Sequence, residues 1–360
     1  MKLLFVHDHP FFPDDQEVFS GGGLPSNVWN NYLNNFSRID VYARKSCNSK
    51  NRKVISSNTN VNFHLTDKYN SIKELILNYK LLVYELQQII KDTDLVLVRL
   101  PSILGFIAGN LAFKMNKKIW VEQVGSAKES MSTHGSLLGK ISAPIAETIN
   151  KKLIKKADFV TYVTQKQLQL KYPAHHNALT ASISNVIIKK VIQVQDLDLS
   201  RFYEKKLKIC LIGGFDVKYK GQGILLKAIK ILDKDIQQNI EIYLAGKGEY
   251  NWILNIAEDC GLINNIKFIG QLSAGDAINS LLKKTSLYVQ PSLTEGLPRA
   301  TIEAMSMGCP VLASNVGGLP DIICNDYIHP KGDFKKLSGQ IRELFSDRSA
   351  LENMAKKISK

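Results

Sequence analysis

Residues 290–314 read Gln290-Pro-Ser-Leu-Thr-Glu-Gly-Leu-Pro-Arg-Ala-Thr-Ile-Glu-Ala-Met-Ser-Met-Gly-Cys-Pro-Val-Leu-Ala-Ser314. The apolar run Leu287–Gln290 predicts a strand that ends where this stretch begins. A polar loop carrying Glu295 and Gly296 follows. Pro298 has the locked φ that suits a first helical turn, and the pattern predicts a helix over Arg299–Met307. Gly308 is placed to stop it, and Pro310–Ala313 predicts the next strand. Leu297, Thr301, Ala304 and Met305 suit the core side. Glu295 and Glu303, with seven residues between them, sit on the loop and about one turn into the helix, within reach of one ligand. Ligands of open α/β sheets bind beyond the carboxyl ends of the strands, and exposed amides at a helix start favour an anion. Two acceptors beside an anion site suit a ligand with hydroxyls and phosphates together, such as a nucleotide-sugar.

The same strand–helix unit recurs in both directions. Upstream, Lys2–Val6, Asp40–Ala43, Val61–His64, Leu95–Val98, Lys118–Gln123 and Phe159–Val163 predict strands, and Ile72–Ile90 carries apolar residues at the helical period. In the second half, strands are expected at Lys208–Gly213, Glu241–Gly246, Lys267–Ile269, Leu287–Gln290 and Pro310–Ala313. Helices are expected near Gln222–Leu232, Asn251–Cys260, Asp276–Lys283 and Arg299–Met307. Alternating β and α elements imply parallel sheets covered on both faces. Two such series imply two Rossmann-like domains, 1–192 and 207–360, joined by a polar linker over 193–206 after a strand-like Val186–Ile192. Neither first strand is followed by the G-x-G-x-x-G fingerprint, which argues against a dehydrogenase, and there is no Walker A sequence.

Composition sets the outer bounds. The 360 residues are 44% hydrophobic and 22% charged, globular values that exclude a disordered or collagenous chain. The five cysteines are scattered with no C-x-x-C, which argues against a disulfide scaffold or a structural zinc and makes a reducing cytoplasm the default. The N-terminal apolar run is too short for a signal peptide, and the uncharged stretch between Arg99 and Lys114 is too short and broken to span a bilayer. Net charge is +14, distributed as +4 over residues 1–150, +9 over 151–250 and +1 over 251–360. Such an excess could face nucleic acid, an anionic membrane or phosphorylated substrates. Lys151, Lys152, Lys155 and Lys156, placed on one helix, form a stripe suited to anionic lipid headgroups.

The 290–314 stretch resembles the E-x7-E motif of glycosyltransferase family 4, retaining enzymes of the GT-B fold. Asn315-Val316-Gly317-Gly318-Leu319-Pro320-Asp321 resembles that family's V-G-G-x-x-E stretch. Gly246-Lys247-Gly248 resembles its G-x-G turn, and Phe268-Ile269-Gly270 its F-x-G segment. Tyr219-Lys220-Gly221 resembles its K-G pair, and Gly21-Gly22-Gly23 its glycine loop. The resemblance implies two Rossmann-like domains with a cleft between them, the donor held mainly by the second and the acceptor by the first. Glu303 would hold the donor ribose. Glu295 would contact the transferred sugar near the reacting carbon. Lys220 would neutralise the leaving diphosphate, and the Gly296 and Leu297 amides would bind the donor. Gly22 and Gly23 would face the phosphates from the other domain.

The sequence departs from the family pattern at two places. Gly214 stands where many relatives have an arginine that shares the phosphates, and Pro298 stands where many have glycine. Arg299 is the expected replacement cation. A general acid–base histidine is left open among His7, His9 and His134; retaining transfer can also pass the acceptor proton to the leaving phosphate. The expectation is a hexosyltransferase without metal or cofactor, moving sugar from a nucleotide-sugar to a saccharide or lipid-linked acceptor in polysaccharide or cell-envelope assembly. It would be cytoplasmic, with peripheral contact to the inner membrane face. A same-fold sugar-nucleotide epimerase or phosphorylase, a non-catalytic binding subunit, and a nucleic-acid binder read from charge alone are the rivals; no nucleic-acid recognition motif is present.

Overall fold

The computed structural model describes residues 1–47, 54–133, 137–186, 188, 190–273 and 275–359. The chain divides into two compact units, Met1–Ile183 and Ser184–Lys360. Among the described residues nine strands make the first sheet: β1 (Lys2–Pro13), β2 (Val18–Ser20), β3 (Arg38–Lys45), β4 (Val54–Ile55), β5 (Val61–Thr66), β6 (Leu95–Leu100), β7 (Lys118–Gln123), β8 (Phe159–Tyr162) and β9 (Leu179–Ser182). Its parallel path runs β5-β3-β1-β6-β7-β8-β9. The second half of β1 turns back antiparallel onto β2, which pairs with β4.

The second sheet holds β10 (Leu207–Ile212), β11 (Ile240–Ala245), β12 (Ile266–Gly270), β13 (Leu287–Gln290), β14 (Val311–Ser314) and β15 (Ile328–His329). Every pairing is parallel and the order is β12-β11-β10-β13-β14-β15. Numbered within the sheet this is 3-2-1-4-5-6, the doubly wound Rossmann order, which reverses between β10 and β13. Side chains alternate across the sheet: Ile209 and Leu211 pack with Leu225, Leu244 and Ile253 on one face. Cys210 packs on the other with Tyr288, Ala304 and Leu319. Burial on both faces is why these strands read as near-continuous apolar runs.

Three expectations change. Residues 193–206 do not link two bodies. Leu197 and Phe202 are buried in the core of the second unit, and the buried Arg201 guanidinium donates to the carbonyls of Lys283 at 2.8 Å and Gly308 at 2.6 Å. The break lies earlier, at Ile183/Ser184. The described residues of 186–192 form no strand; the last strand of the first sheet is β9. Finally, β1 runs on to Pro13 and the glycine loop follows β2.

Burial also sets a pH dependence. His329, at the end of β15, is fully buried, and desolvation pushes its pKa down from 6.5 to about 4. The folded-state value is depressed, so the contribution to stability is complete above the unfolded pKa and is lost as pH falls from 6.5 toward 4. By linkage, about 2 kcal/mol disappears by roughly pH 5. Thermal unfolding followed by circular dichroism at pH 7.5 and 5 is expected to show this loss, and His329→Gln should flatten the difference.

Candidate active site

The loops after β10 and β13 flank the point where the second sheet reverses order, and Gly214, Lys220, Glu295 and Gly296 lie on them. The Glu295 side chain, 7% exposed, receives the Lys220 ammonium at 2.8 and 3.0 Å from its two oxygens. Such a pair survives burial only with further hydrogen bonds, and the strand end supplies them. Ser292 Oγ donates to Glu295 Oε1 at 2.7 Å, and Gln290 Nε2 donates to Ser292 Oγ at 2.7 Å and to Glu295 Oε1 at 3.3 Å. Tyr288 OH donates to Gln290 Oε1 at 2.6 Å. Burial, with the Cys210 thiol and the Glu295 and Glu303 carboxylates behind it, raises the Tyr288 pKa well above its ordinary value, so its hydroxyl stays a donor.

Backbone contacts fix the loop that carries Glu295. Leu293 N–H donates to the Tyr219 carbonyl at 2.7 Å, which ties this loop to the turn bearing Lys220. Ser314 Oγ donates to the Ser292 carbonyl at 2.6 Å. Gly221 has φ +88° and faces the Pro291 carbonyl so closely that a Cβ would stand 2.1 Å from its oxygen. Gly317 has φ +53°, and a Cβ there would lie 2.2 Å from the Glu295 carbonyl oxygen. The neighbouring Gly318 N–H donates to the Gly296 carbonyl at 2.7 Å. The V-G-G turn is thus a backbone buttress for the Glu295–Gly296 loop. Gly317→Ala is expected to cost about 1–3 kcal/mol of stability and to weaken nucleotide binding by displacing Glu295. A melt and a nucleotide titration unchanged from the parent would contradict this.

The helix Arg299–Ser306 begins after Pro298, which sits at the cap position rather than in the first turn, and no side chain caps it. Gly308, φ +64°, follows its end. Thr301 and Ala304 are buried as expected, and Leu297 is half-buried. Glu303 is 14% exposed and accepts from Arg299 Nε at 3.0 Å, an i,i+4 pair; Arg299 itself is 58% exposed. The expected placement of Arg299 as a second cation beside Lys220 is therefore not what its side chain does here: the site carries two ion pairs, Lys220–Glu295 and Arg299–Glu303. Gly214 has room. A Cβ there meets only the Lys247 carbonyl oxygen at 3.8 Å and a Val217 methyl at 3.9 Å. Its carbonyl accepts from Gln222 Nε2 at 3.2 Å.

Sequence reasoning missed Tyr288, Gln290, Ser292, Ser314 and Gln222. One signal was available: Gln290 and Ser292 are buried polar residues at the carboxyl end of a parallel strand, where apolar side chains are the rule.

The first unit has its own switch point between β1 and β6. A pocket of about 270 Å³ opens at the ends of these strands, lined by Asp8, Tyr69, Ser102, Phe106, Ser130 and Met131 among others. Burial raises the Asp8 pKa, while its carboxylate accepts from the Ile103 and Leu104 amides at 2.7 and 2.9 Å, at the start of the helix Ile103–Lys114. Desolvation lowers His7 to about 3 and His9 to about 4. His7 Nδ1 lies 3.1 Å from the Arg99 carbonyl oxygen and His9 Nε2 lies 2.8 Å from Ser20 Oγ, so both imidazoles are neutral and anchored near neutral pH. His134 lies outside the described residues. Ser20 Oγ also accepts from the Gly22 and Leu24 amides at 3.3 and 3.2 Å, and a Cβ at Gly23 would meet the His9 ring at 3.2 Å. After these glycines the chain forms only a 3₁₀ turn, Ser26–Val28, and a four-residue helix, Asn30–Leu33, too short for a strong dipole.

The expected lysine stripe divides. The helix Leu137–Ile154 carries Lys151 and Lys152, while Lys155 and Lys156 lie past its end. Lys151 reaches Glu147 at 3.7 Å, and the Lys156 ammonium lies 4.4 Å from the centre of the Phe113 ring. No helix among the described residues is long and apolar enough to cross a membrane. Nor do three His, Cys, Asp or Glu side chains among the described residues group as a metal site would require.

Residues 197–360 match the model of the family described as Glycosyl transferases group 1. Over 357 residues the chain is 37% identical to Protein CapJ of Staphylococcus aureus, covering 98% of this chain and 89% of that protein. It is 27% identical over 236 residues to the capsular polysaccharide biosynthesis glycosyltransferase CapH of the same organism, covering 63% of this chain and 61% of that one. Among solved structures, sucrose-phosphate synthase from Thermosynechococcus elongatus superposes with a TM-score of 0.67 at 15% identity, over 100% of this chain and 94% of that one. Anabaena Alr3699/HepE in complex with UDP gives 0.65 at 16% identity, over 100% and 94%. The structural likenesses establish the GT-B fold, and the sequence matches show that this chain belongs to the group 1 family of glycosyltransferases.

Proposed function

We propose that this chain is a retaining, family 4 hexosyltransferase that moves a sugar from a nucleotide-sugar to a saccharide or lipid-linked acceptor in polysaccharide or cell-envelope assembly, working in the cytoplasm. The observation that carries the reading is the half-buried Lys220–Glu295 pair, with Glu303 on the following helix, at the switch point of the second sheet. In the reading, the donor diphosphate draws Lys220 off Glu295. The freed carboxylate then accepts from hydroxyls of the transferred sugar, and Glu303 accepts from the ribose hydroxyls. As the bond between the anomeric carbon and the leaving phosphate breaks, negative charge grows on the diphosphate, and Lys220 with the uncapped amides of the helix Arg299–Ser306 stabilises it where it grows. The acceptor oxygen bonds to the same face of that carbon and its proton passes to the leaving phosphate oxygen. These groups supply the positive charge from the chain itself, so the reading calls for neither metal nor cofactor. The pocket at Asp8, Tyr69 and Ser102 in the first unit offers polar groups on an apolar wall, which suits an acceptor sugar.

The test is incubation with UDP-, GDP- and ADP-sugars, with and without saccharide and lipid-linked acceptors from cell envelopes. The expected result is acceptor-dependent release of nucleoside diphosphate and a product whose anomeric configuration, by NMR, matches the donor's. An inverted product would overturn retention. Epimerised donor without transfer, or binding without turnover, would overturn the transferase assignment for this site.

A further inference from the structure

One arginine of the first unit is poorly satisfied. Arg99 lies just before the end of β6, and the register Val6↔Val98 puts His7 of β1 beside it, on the same sheet face. The Arg99 side chain is only 15% exposed, yet among the described residues its guanidinium makes no hydrogen bond. Its ion pair with Glu122 is loose, Nε to Oε2 at 3.9 Å, and Glu122 Oε1 already accepts from Tyr32 OH at 2.7 Å. An enclosed arginine normally commits its planar fork of donors to a carboxylate or to carbonyls, as Arg201 does in the second unit.

A second cation stands nearby. Arg44, just before the end of β3, donates from Nε to the Asp8 carbonyl oxygen at 2.8 Å, and its guanidinium carbon lies 5.9 Å from the centre of the Tyr69 ring. Among the described residues it pairs with no carboxylate. The Asp8 carboxylate is itself held by the Ile103 and Leu104 amides. Burial lowers the His7 and His9 pKa values, and the charges of Arg99 and Arg44 both lower them further, so both guanidinia lie near these rings. His7 Nδ1 faces the Arg99 carbonyl oxygen at 3.1 Å. A carbonyl only accepts, so Nδ1 carries the proton and Nε2 of the neutral ring is a bare acceptor. The cluster therefore offers fork donors for an anion and an acceptor for a hydroxyl, next to the pocket lined by Asp8 and Tyr69.

We propose that Arg99 and Arg44 form an anion subsite in the first unit, and that the acceptor taken by this protein carries a carboxylate or a phosphate ester that binds there. The guanidinium fork matches either group with paired hydrogen bonds, while His7 Nε2 accepts from a hydroxyl of the same sugar. That the ligand is an acceptor rests on the transferase reading; the anion subsite does not.

The test is calorimetric titration of the full chain, without nucleotide, with glucose, glucuronic acid and glucose 6-phosphate. At least one acidic sugar is expected to bind about 10-fold or more tightly than glucose, and which one does so tells carboxylate from phosphate. Arg99→Gln should weaken that sugar by about 10- to 150-fold, the range for a hydrogen bond to a charged group. Arg99→Lys keeps the charge without the fork and should fall between the two. Arg44→Gln, on a separate strand, should also weaken it, and carries the test if Arg99→Gln does not fold. Circular dichroism and UDP affinity of the folded variants should stay those of the parent. The subsite is overturned if the parent shows no preference for an acidic sugar, or if the preference survives in the folded glutamine variants. It is also overturned if Lys220→Ala abolishes the preference, or if Arg99→Gln weakens UDP as much as the acidic sugar, since the anion would then belong to the donor. Turnover is not read in this test, so acidic-sugar binding by a parent that transfers no sugar would count against the transferase reading alone.

Discussion

Lys220→Ala is expected to lower turnover by about 100- to 1000-fold, the scale on which losing one preorganised transition-state donor acts. The substitution removes the cation proposed to meet the leaving diphosphate and strands Glu295, whose 7% exposed side chain loses its charge partner. The second effect is a stability cost, since removing the lysine leaves the Glu295 carboxylate without its charge partner in a largely enclosed place. Two measurements separate the effects. Lys220→Ala with Glu295→Gln should recover thermal stability without recovering turnover, because the neutral amide needs no cation. Lys220→Ala with Gly214→Arg should recover part of the turnover, because position 214 has ordinary space for a side chain and lies after β10 at the same switch point. Lys220→Ala turning over at the parent rate would remove the lysine from the chemistry.

Glu303→Ala should weaken nucleoside diphosphate binding roughly 10- to 150-fold, since a hydrogen bond to a charged group contributes about 1.5–3 kcal/mol. Calorimetry with the folded variant checks this, and unchanged affinity would sink the ribose assignment. The Arg299–Glu303 pair sharpens the prediction. Arg299 is 58% exposed, and an exposed i,i+4 pair contributes only a few tenths of a kcal/mol. Opening it for the ribose therefore costs little, and Arg299→Ala should change nucleotide affinity far less than Glu303→Ala does.

The order of elements in the second unit was largely legible. The strand Leu287–Gln290 and the helices Asn251–Cys260 and Asp276–Lys283 stand where periodicity puts them, and the helix at Arg299 ends within a residue of expectation. What failed was hidden by tertiary context. The stretch 193–206 is polar by composition, yet Arg201 is buried because backbone carbonyls of Lys283 and Gly308 receive its guanidinium, and nothing local announces that. The helix Ile103–Lys114 is buried around most of its circumference, so it shows no amphipathic period. The turn of β1 back onto β2 depends on register with a neighbouring strand. At the site, the spacing of Glu295 and Glu303 and the lysine of the K-G turn were readable. The Tyr288–Gln290–Ser292 chain that supports Glu295 was not, because it exists only once the strand end and the loop are folded together. The Arg299–Glu303 contact follows from i,i+4 spacing alone; reading Arg299 as a phosphate ligand passed over its nearest carboxylate.

The central claim is that this site on the second sheet holds a nucleoside diphosphate. A crystal structure of the protein soaked with UDP or GDP tests it most directly. The expected result is a diphosphate within hydrogen-bonding distance of Lys220 Nζ, with Lys220 drawn away from Glu295 and the ribose hydroxyls on Glu303. A nucleotide bound elsewhere, with the Lys220–Glu295 and Arg299–Glu303 pairs both intact, would contradict it.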